Sequence, residues 1–219
     1  MSSLLNEGSA EMWRVFKAPL FQTHNPEVYS ALGTWSVNHN YSHLSDCCFW
    51  AQQHIDESEA DFNRMCIGPY RLTVPPYESV WRSHTRVLNN RYSAAVAFSY
   101  AELGLSVSSF REMPDFVGNE FEFMYCLAEL HNQHLKANNN EECSQLEDMY
   151  LRFWTEHLGH WVYEFLSGVQ QDATSEFWRE WARVLGEQLG SNFLDVSLSN
   201  LMTGLEQPLT FVPPSKDLS

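Results

Sequence analysis

The feature that most constrains this chain is the spacing of its large apolar residues in the last third of the sequence. Between residues 143 and 169, apolar side chains recur at intervals of three and four, while charged side chains fall on the opposite face. This period is typical of an amphipathic α-helix that packs against a core. The apolar positions are Leu146, Met149, Tyr150, Phe153, Trp154, Leu158, Trp161, Val162, Phe165, Leu166 and Val169. We therefore predict one continuous helix over about 143–169.

Helical patterns also cover most of the remaining chain. Ser9 and Ser93 are predicted to cap two of these helices, and Gly33 is predicted to end the one that starts at Asn25-Pro26. Further helices are predicted at about 45–66, 116–135 and 175–189, and no segment shows the alternation of a β-strand. The sequence thus predicts an all-α fold: a single compact bundle of about seven to nine helices over 1–219, with a loose tail at 205–219.

Composition and charge narrow the possible partners. A chain of 219 residues with 44% apolar residues can bury one well-formed core. The net charge of −15 argues against nucleic-acid binding and favours a basic peptide partner, although the same acidity would also simply keep a protein in solution. The N-terminus lacks the pattern of a secretory signal, and no apolar run is long enough for membrane insertion. Five cysteines without a CxxC pair are typical of reduced thiols, so we expect a cytoplasmic protein.

Motifs for catalysis and metal binding are absent from the sequence. None of the nine histidines follows a glutamate by three residues, as helical di-iron sites require, and there is no HExxH or zinc-type cysteine cluster. Nucleophile-elbow and nucleotide-binding patterns are missing too. We therefore expect no catalytic residues, no metal and no cofactor, and interpret His157 as a hydrogen-bonded core residue. A metal-binding helical enzyme remains the alternative.

Two loops carry the residue types that a peptide receptor needs. The first, VPPYESVW at 74–81, sets two aromatic residues and a glutamate on a proline-stiffened segment. The second ends in Met113-Pro114-Asp115, and the chain from Glu112 to Leu135 contains five acidic residues but no lysine or arginine. Asp115 fits either an N-cap of the following helix or a ligand-facing carboxylate, or both. Tyr77 and Trp81 fit either a binding surface or packing of the loop against the bundle.

Three segments in order resemble the TorD/DmsD/NarJ-type family of redox-enzyme maturation chaperones. The segments are FNRMCIGPYRLTVPPYESVW (62–81), GLSVSSFREMPDFVGNEFEFMYCL (104–127) and FWTEHLGHWVYEF (153–165). Together they span roughly residues 62–165. In the second segment the family's Pro-Asp-His appears as Pro114-Asp115-Phe116, so the histidine that contributes to leader binding in relatives is replaced by an apolar ring.

This resemblance implies a cytoplasmic, non-enzymatic chaperone. Such proteins bind the twin-arginine signal peptide of a molybdenum-cofactor (molybdopterin-dependent) oxidoreductase and delay export until the cofactor is loaded. Some also contact the enzyme body or form domain-swapped homodimers. We expect carboxylates to pair with the two guanidinium groups and aromatic rings to meet the apolar part of the leader. The predicted signal-peptide-binding residues are Tyr77, Glu78, Trp81, Pro114, Asp115, Phe116 and Glu120. A permanent assembly subunit of an anaerobic oxidoreductase is a further alternative.

Overall fold

The computed structural model describes residues 5–69, 71–83, 87–107 and 113–205, and within them the chain is an all-α bundle, as predicted. No helix in these ranges is both long and apolar enough to span a lipid bilayer. Beyond Leu205 the predicted loose tail lies outside the described residues. The α-helices are α1 (Glu7–Phe21), α2 (Pro26–Asn38), α3 (Ser42–Gln53), α4 (Ile55–Phe62), α5 (Glu78–Ser83), α6 (Arg91–Glu102), α7 (Val117–Lys136), α8 (Asn140–Glu156), α9 (Val162–Asp172) and α10 (Glu176–Leu205).

Helix α7 lies at the centre of the bundle and packs against α1 and α8. Its residues Phe121, Met124 and Leu127 are completely buried, in line with the broad apolar surface expected for this helix. Buried tryptophans connect α1 to its neighbours because their ring N–H groups need acceptors. Trp13 Nε1 donates to the Tyr150 hydroxyl of α8 at 2.7 Å, and Trp181 Nε1 of α10 donates to a carbonyl of α1 at 3.1 Å.

The predicted continuous helix over 143–169 is wrong, because the chain leaves the α-helical path at His157. This residue has φ −126° and ψ −94°, and a short 3₁₀ turn, Leu158–His160, precedes α9. The turn brings the backbone close to the preceding helix: a Cβ added to Gly159 would lie 2.7 Å from the Trp154 carbonyl oxygen. Periodicity could not reveal this break, since the apolar spacing resumes in α9 with nearly the same phase.

Several predicted helix ends also differ from the structure. The N-cap of α1 is Asn6, and Ser9 instead completes a capping box from the third helical position. Gly33 lies inside α2 rather than at its end, and Asn90 takes the capping role predicted for Ser93. At the two helix starts, an asparagine a few residues upstream offers an equally good cap. In α2, the glycine is accommodated within the helix.

The segment around the first loop is also more helical than predicted. The helix expected over 45–66 is interrupted at His54, and the chain after Phe62 continues as a π-helical turn, Asn63–Ile67. The proline-rich loop then contains α5, which begins directly after Tyr77. The last helix extends well past residue 189, to Leu205. The first loop therefore ends as a helix N-terminus, which determines the chemistry of the candidate site.

Candidate functional site

The two loops singled out in the sequence lie side by side in the structure. Tyr77 and Phe116 form an isolated antiparallel bridge. Glu78 N donates to the Asp115 carbonyl oxygen at 3.1 Å, and Val117 N donates to the Pro76 carbonyl oxygen at 2.9 Å. The bridge joins the N-terminal ends of α5 and α7. The two loops are thus joined by direct backbone pairing.

The Asp115 carboxylate caps a helix, but not the one predicted. Helix α7 has Phe116 at its N-cap position and no side-chain cap, whereas Asp115 Oδ2 accepts a hydrogen bond from Ser79 N at 2.8 Å. Ser79 lies in the first turn of α5, so Asp115 stabilises the N-terminus of the helix across the bridge. The N-cap prediction for α7 was wrong because the chain direction at the bridge turns this side chain towards the other loop.

Three of the predicted carboxylates are completely buried together. Glu78, Asp115 and Glu120 each have no exposed surface. Glu120 Oε2 accepts a hydrogen bond from Trp161 Nε1 at 3.2 Å, while Glu120 Oε1 and Asp115 Oδ1 have no hydrogen-bond partner among the residues that the structure describes. Burial is the main cause that raises the pKa of Glu120 well above its ordinary value, and the negative charge of Glu78 is the next largest. This shift favours the protonated form of Glu120 and so reduces the negative charge that the cluster has to bury.

Glu78 is held by two partners from inside the protein. Arg82 Nη1 donates to Glu78 Oε1 at 2.5 Å, and His157 Nδ1 lies 3.2 Å from Glu78 Oε2. The same Arg82 nitrogen also donates to the Glu156 carbonyl oxygen at the end of α8. The break at His157 is what brings this imidazole to Glu78, and the interpretation of His157 as a hydrogen-bonded core residue is confirmed.

The aromatic residues of the two loops also face largely inwards. Phe116 is buried, whereas Tyr77 and Trp81 are partly buried and pack against the core. Trp81 Nε1 donates to the Pro75 carbonyl oxygen at 2.7 Å, which fixes the ring against its own loop. Pro114 is half-buried, and its carbonyl oxygen accepts a hydrogen bond from the Tyr100 hydroxyl at 2.9 Å. The seven predicted residues are thus brought together, but as an internal junction rather than an open surface.

An open groove lies beside this junction and was missed by the sequence reasoning. It has a volume of about 550 Å³ and runs between α1, the start of the loop after α6, and α7. Leu105 and the partly exposed side chains of Phe21 and Val107 give it an apolar lining. Glu122, 42% exposed, supplies a carboxylate at its edge and pairs with Lys17. In the sequence, Glu122 is only one of the five acidic residues between Glu112 and Leu135.

Aromatic contacts connect the groove to the junction. Phe21 lines the groove and meets Phe116 edge-on, with ring centroids 5.7 Å apart, and Phe116 in turn contacts Tyr77 at 6.1 Å. Gly118 permits this arrangement, because a Cβ at that position would lie 2.5 Å from Phe116 Cε1 and 2.8 Å from Phe21 Cζ. A movement of the paired loops would therefore change the packing of the residues that line the groove.

Replacing Gly118 with alanine is expected to destabilise the protein by about 1–3 kcal/mol, the usual cost of overpacking a core. Both aromatic rings would have to move to admit the methyl group. The matched control is Gly190→Ala in α10, where an added Cβ meets no atom of the described residues within 4 Å and higher helix propensity should stabilise the protein by about 0.5–1 kcal/mol. Urea unfolding of both variants measures the difference. Equal stabilisation by the two substitutions would show that the Phe21–Phe116 contact tolerates the methyl group.

Comparison with known protein families matches residues 36–167 to a family described as nitrate reductase delta subunit. The match covers more than half of the chain, from the last turn of α2 into α9, and includes all seven residues of the junction. It also includes the α7 side of the groove, whereas the α1 side lies before its first residue. A comparison with curated proteins finds no match.

Proposed function

This chain belongs to the nitrate reductase delta subunit family, whose members are maturation chaperones of molybdoenzymes rather than catalysts, and we propose that it binds a twin-arginine leader. In this proposal the chain holds the precursor of a molybdenum-cofactor oxidoreductase in the cytoplasm. Release follows once the cofactor is inserted and the enzyme is ready for export. The client enzyme contributes its leader and part of its folded body to the interaction.

The observation that carries this proposal is the open groove beside the paired loops. A twin-arginine leader presents two guanidinium groups followed by a mildly apolar stretch. The groove offers both matching parts: an accessible carboxylate at Glu122 and an apolar lining that includes Phe21 and Leu105. Guanidinium groups pair in a planar, two-pronged manner with carboxylates, which ammonium groups cannot reproduce.

The paired loops serve as the wall of this binding site in the proposal. Their carboxylates are already used internally, since Glu78 is bound by Arg82 and His157, and Asp115 caps α5. A leader arginine could reach Asp115 only if the Tyr77–Phe116 bridge opened. We therefore propose that leader arginines pair with Glu122, and that they either displace Lys17 or bind Glu122 together with it. Tyr77 and Phe116 then pack behind the residues that line the groove.

The substitution Glu122→Gln is expected to weaken binding of a twin-arginine peptide by about five- to tenfold. This corresponds to the loss of one partly exposed, charge-assisted pair, worth about 1 kcal/mol or slightly more. Calorimetric titration of the full-length chain with the peptide measures the change. Affinity should also fall as ionic strength rises, because exposed charges are screened over about 10 Å at 0.1 M salt.

Two controls separate the groove from other carboxylates. Glu129→Gln, on the same helix but outside the groove lining, should leave affinity within about twofold of the wild type. A leader with both arginines replaced by lysine should bind the wild type more weakly, and Glu122→Gln should discriminate the two leaders less well. Equal binding of the twin-arginine peptide by Glu122→Gln and the wild type would contradict the proposed arginine site.

The substitution Asp115→Asn distinguishes docking on the groove from opening of the loops. Asparagine retains an oxygen that can accept from Ser79 N, so the cap on α5 is preserved. Docking on the groove leaves leader affinity unchanged in this variant. Weakened binding at an unchanged melting temperature would instead show that the loops open and that the Asp115 charge meets the leader. Failure of every twin-arginine leader in a panel to bind the wild type would overturn the proposed function itself.

A further inference from the structure

A second cluster of chemically active side chains lies where α3 packs against α10, near the start of α10. His43 and Cys47 are four residues apart and therefore lie on one face of α3. Glu176, the first residue of α10, reaches over the same face. One potential ligand atom from each of the three residues lies within 4.8 Å of the other two, and His43 Nε2 is already 3.2 Å from Glu176 Oε1.

The ligand types in this cluster suit one kind of metal ion. An imidazole nitrogen, a thiolate and a carboxylate are the three side-chain types that bind Zn²⁺, which takes four ligands in a tetrahedron. Bond lengths of about 2.0–2.3 Å place tetrahedral ligand atoms roughly 3.3–3.8 Å apart, so the cluster must contract by about 1 Å. His43 and Glu176 can move this far, since their side chains are 57% and 69% exposed. Harder ions such as Mg²⁺ and Ca²⁺ prefer oxygen ligands alone.

The surroundings also fit a cation. The three residues line a cavity of about 580 Å³ together with Asp46 and Glu57, which add negative charge and a possible fourth ligand. Cys47 is itself buried, but its side chain lines this cavity. The nearby Arg179 donates to the carbonyl oxygens of Thr174 and Ser175 and so is held against the backbone.

We propose that His43, Cys47 and Glu176 bind one zinc-type divalent cation, with Asp46 or a water molecule as the fourth ligand. Binding displaces the thiol proton of Cys47 to solvent, leaving a thiolate–metal bond. Because the ligands come from α3 and from the first turn of α10, the ion joins the two helices and stabilises the folded chain. The site is separate from the proposed leader groove, none of whose lining residues it shares.

The test is a titration of the metal-free, full-length protein with Co²⁺, which replaces Zn²⁺ and reports its own ligands. A thiolate-to-cobalt charge-transfer band should appear and saturate at one equivalent, together with the strong visible absorption of tetrahedral Co²⁺. Zn²⁺ should then displace Co²⁺, in keeping with the usual order of affinities for N/S sites. Zn²⁺ should also raise the melting temperature, because it binds the folded state.

Matched variants tie the signal to the three residues. Cys47→Ser should abolish the charge-transfer band, whereas Cys48→Ser, at the adjacent buried cysteine, should keep it. His43→Ala should weaken Zn²⁺ binding by at least about tenfold, and the exposed His24→Ala should change it by less than about twofold. Circular dichroism verifies that each variant is folded. Absence of the band in the wild type, or its survival in Cys47→Ser, would overturn the proposal.

Discussion

Replacing Asp61 with alanine is expected to lower the free energy of unfolding by about 3–4 kcal/mol. Asp61 is buried, and its Oδ2 accepts hydrogen bonds from Thr174 N at 2.9 Å and Ser175 N at 2.8 Å, just before α10. Its Oδ1 accepts from Arg64 Nη2 at 2.8 Å. Hydrogen bonds to a charged group contribute about 1.5–3 kcal/mol each, and the two backbone N–H groups would be left without a partner. Urea unfolding at neutral pH measures the loss.

Asp172→Ala is the matched control for this prediction. Asp172 binds the same Arg64 guanidinium at 2.9 Å, but its side chain is 36% exposed, so its loss should cost about 1 kcal/mol or less. Burial alone would raise the pKa of Asp61, but the hydrogen bonds from Ser175, Arg64 and Thr174 outweigh it and lower that pKa. The contribution of Asp61 to the free energy of unfolding is therefore present above the ordinary carboxyl pKa. It is lost as the pH falls through the lowered pKa of Asp61. Equal effects of the two substitutions would contradict the capping role.

Stability should also depend on pH through Glu120, in the opposite direction. Its pKa is raised in the folded state, so above the ordinary carboxyl pKa of about 4.3 the folded protein binds a proton that the unfolded chain has released. The wild type should thus lose stability relative to Glu120→Gln as pH rises. The expected slope is up to about 1.4 kcal/mol per pH unit while Glu120 stays protonated in the folded state.

Glutamine is the appropriate replacement because it resembles a protonated glutamate. Its side-chain oxygen can accept from Trp161 Nε1, and its amide, like a protonated carboxyl group, carries a hydrogen-bond donor. Unfolding is measured in urea at several pH values for the wild type, Glu120→Gln and the control Glu129→Gln. The control should follow the wild type. A constant difference between Glu120→Gln and the wild type at every pH would show that Glu120 ionises normally.

The fold class and the identity of the important loops were predictable from local information. Apolar spacing of three and four residues persists through α7, α8 and α9, and it requires helices with one buried face. The two proline-containing loops stood out because their composition interrupts that pattern. What periodicity could not reveal was the break at His157, since the apolar phase is nearly the same on both sides of it.

The direction in which the loop side chains point was decided by tertiary structure. The sequence placed Glu78, Asp115 and Glu120 near one another but offered no means of distinguishing exposed from buried carboxylates. The backbone bridge between Tyr77 and Phe116 turns all three inwards, where Glu78 binds Arg82 of its own helix and His157, and Glu120 binds Trp161. Arg82 is only four residues from Glu78, but His157 and Trp161 lie far along the chain from the carboxylates that they bind, so no local pattern predicts those two partners.

The sequence by itself therefore determined the helices, the loops and the acidic character of this protein, because each depends on neighbouring residues. Tertiary structure alone decided which charged side chains are exposed to solvent. It exposes Glu122 at the edge of a groove formed by helices distant in sequence. It also brings Glu176 to His43 and Cys47, although no spacing motif links them. The physical reason is that burial and side-chain clustering depend on how helices pack, and local propensity contains little information about packing.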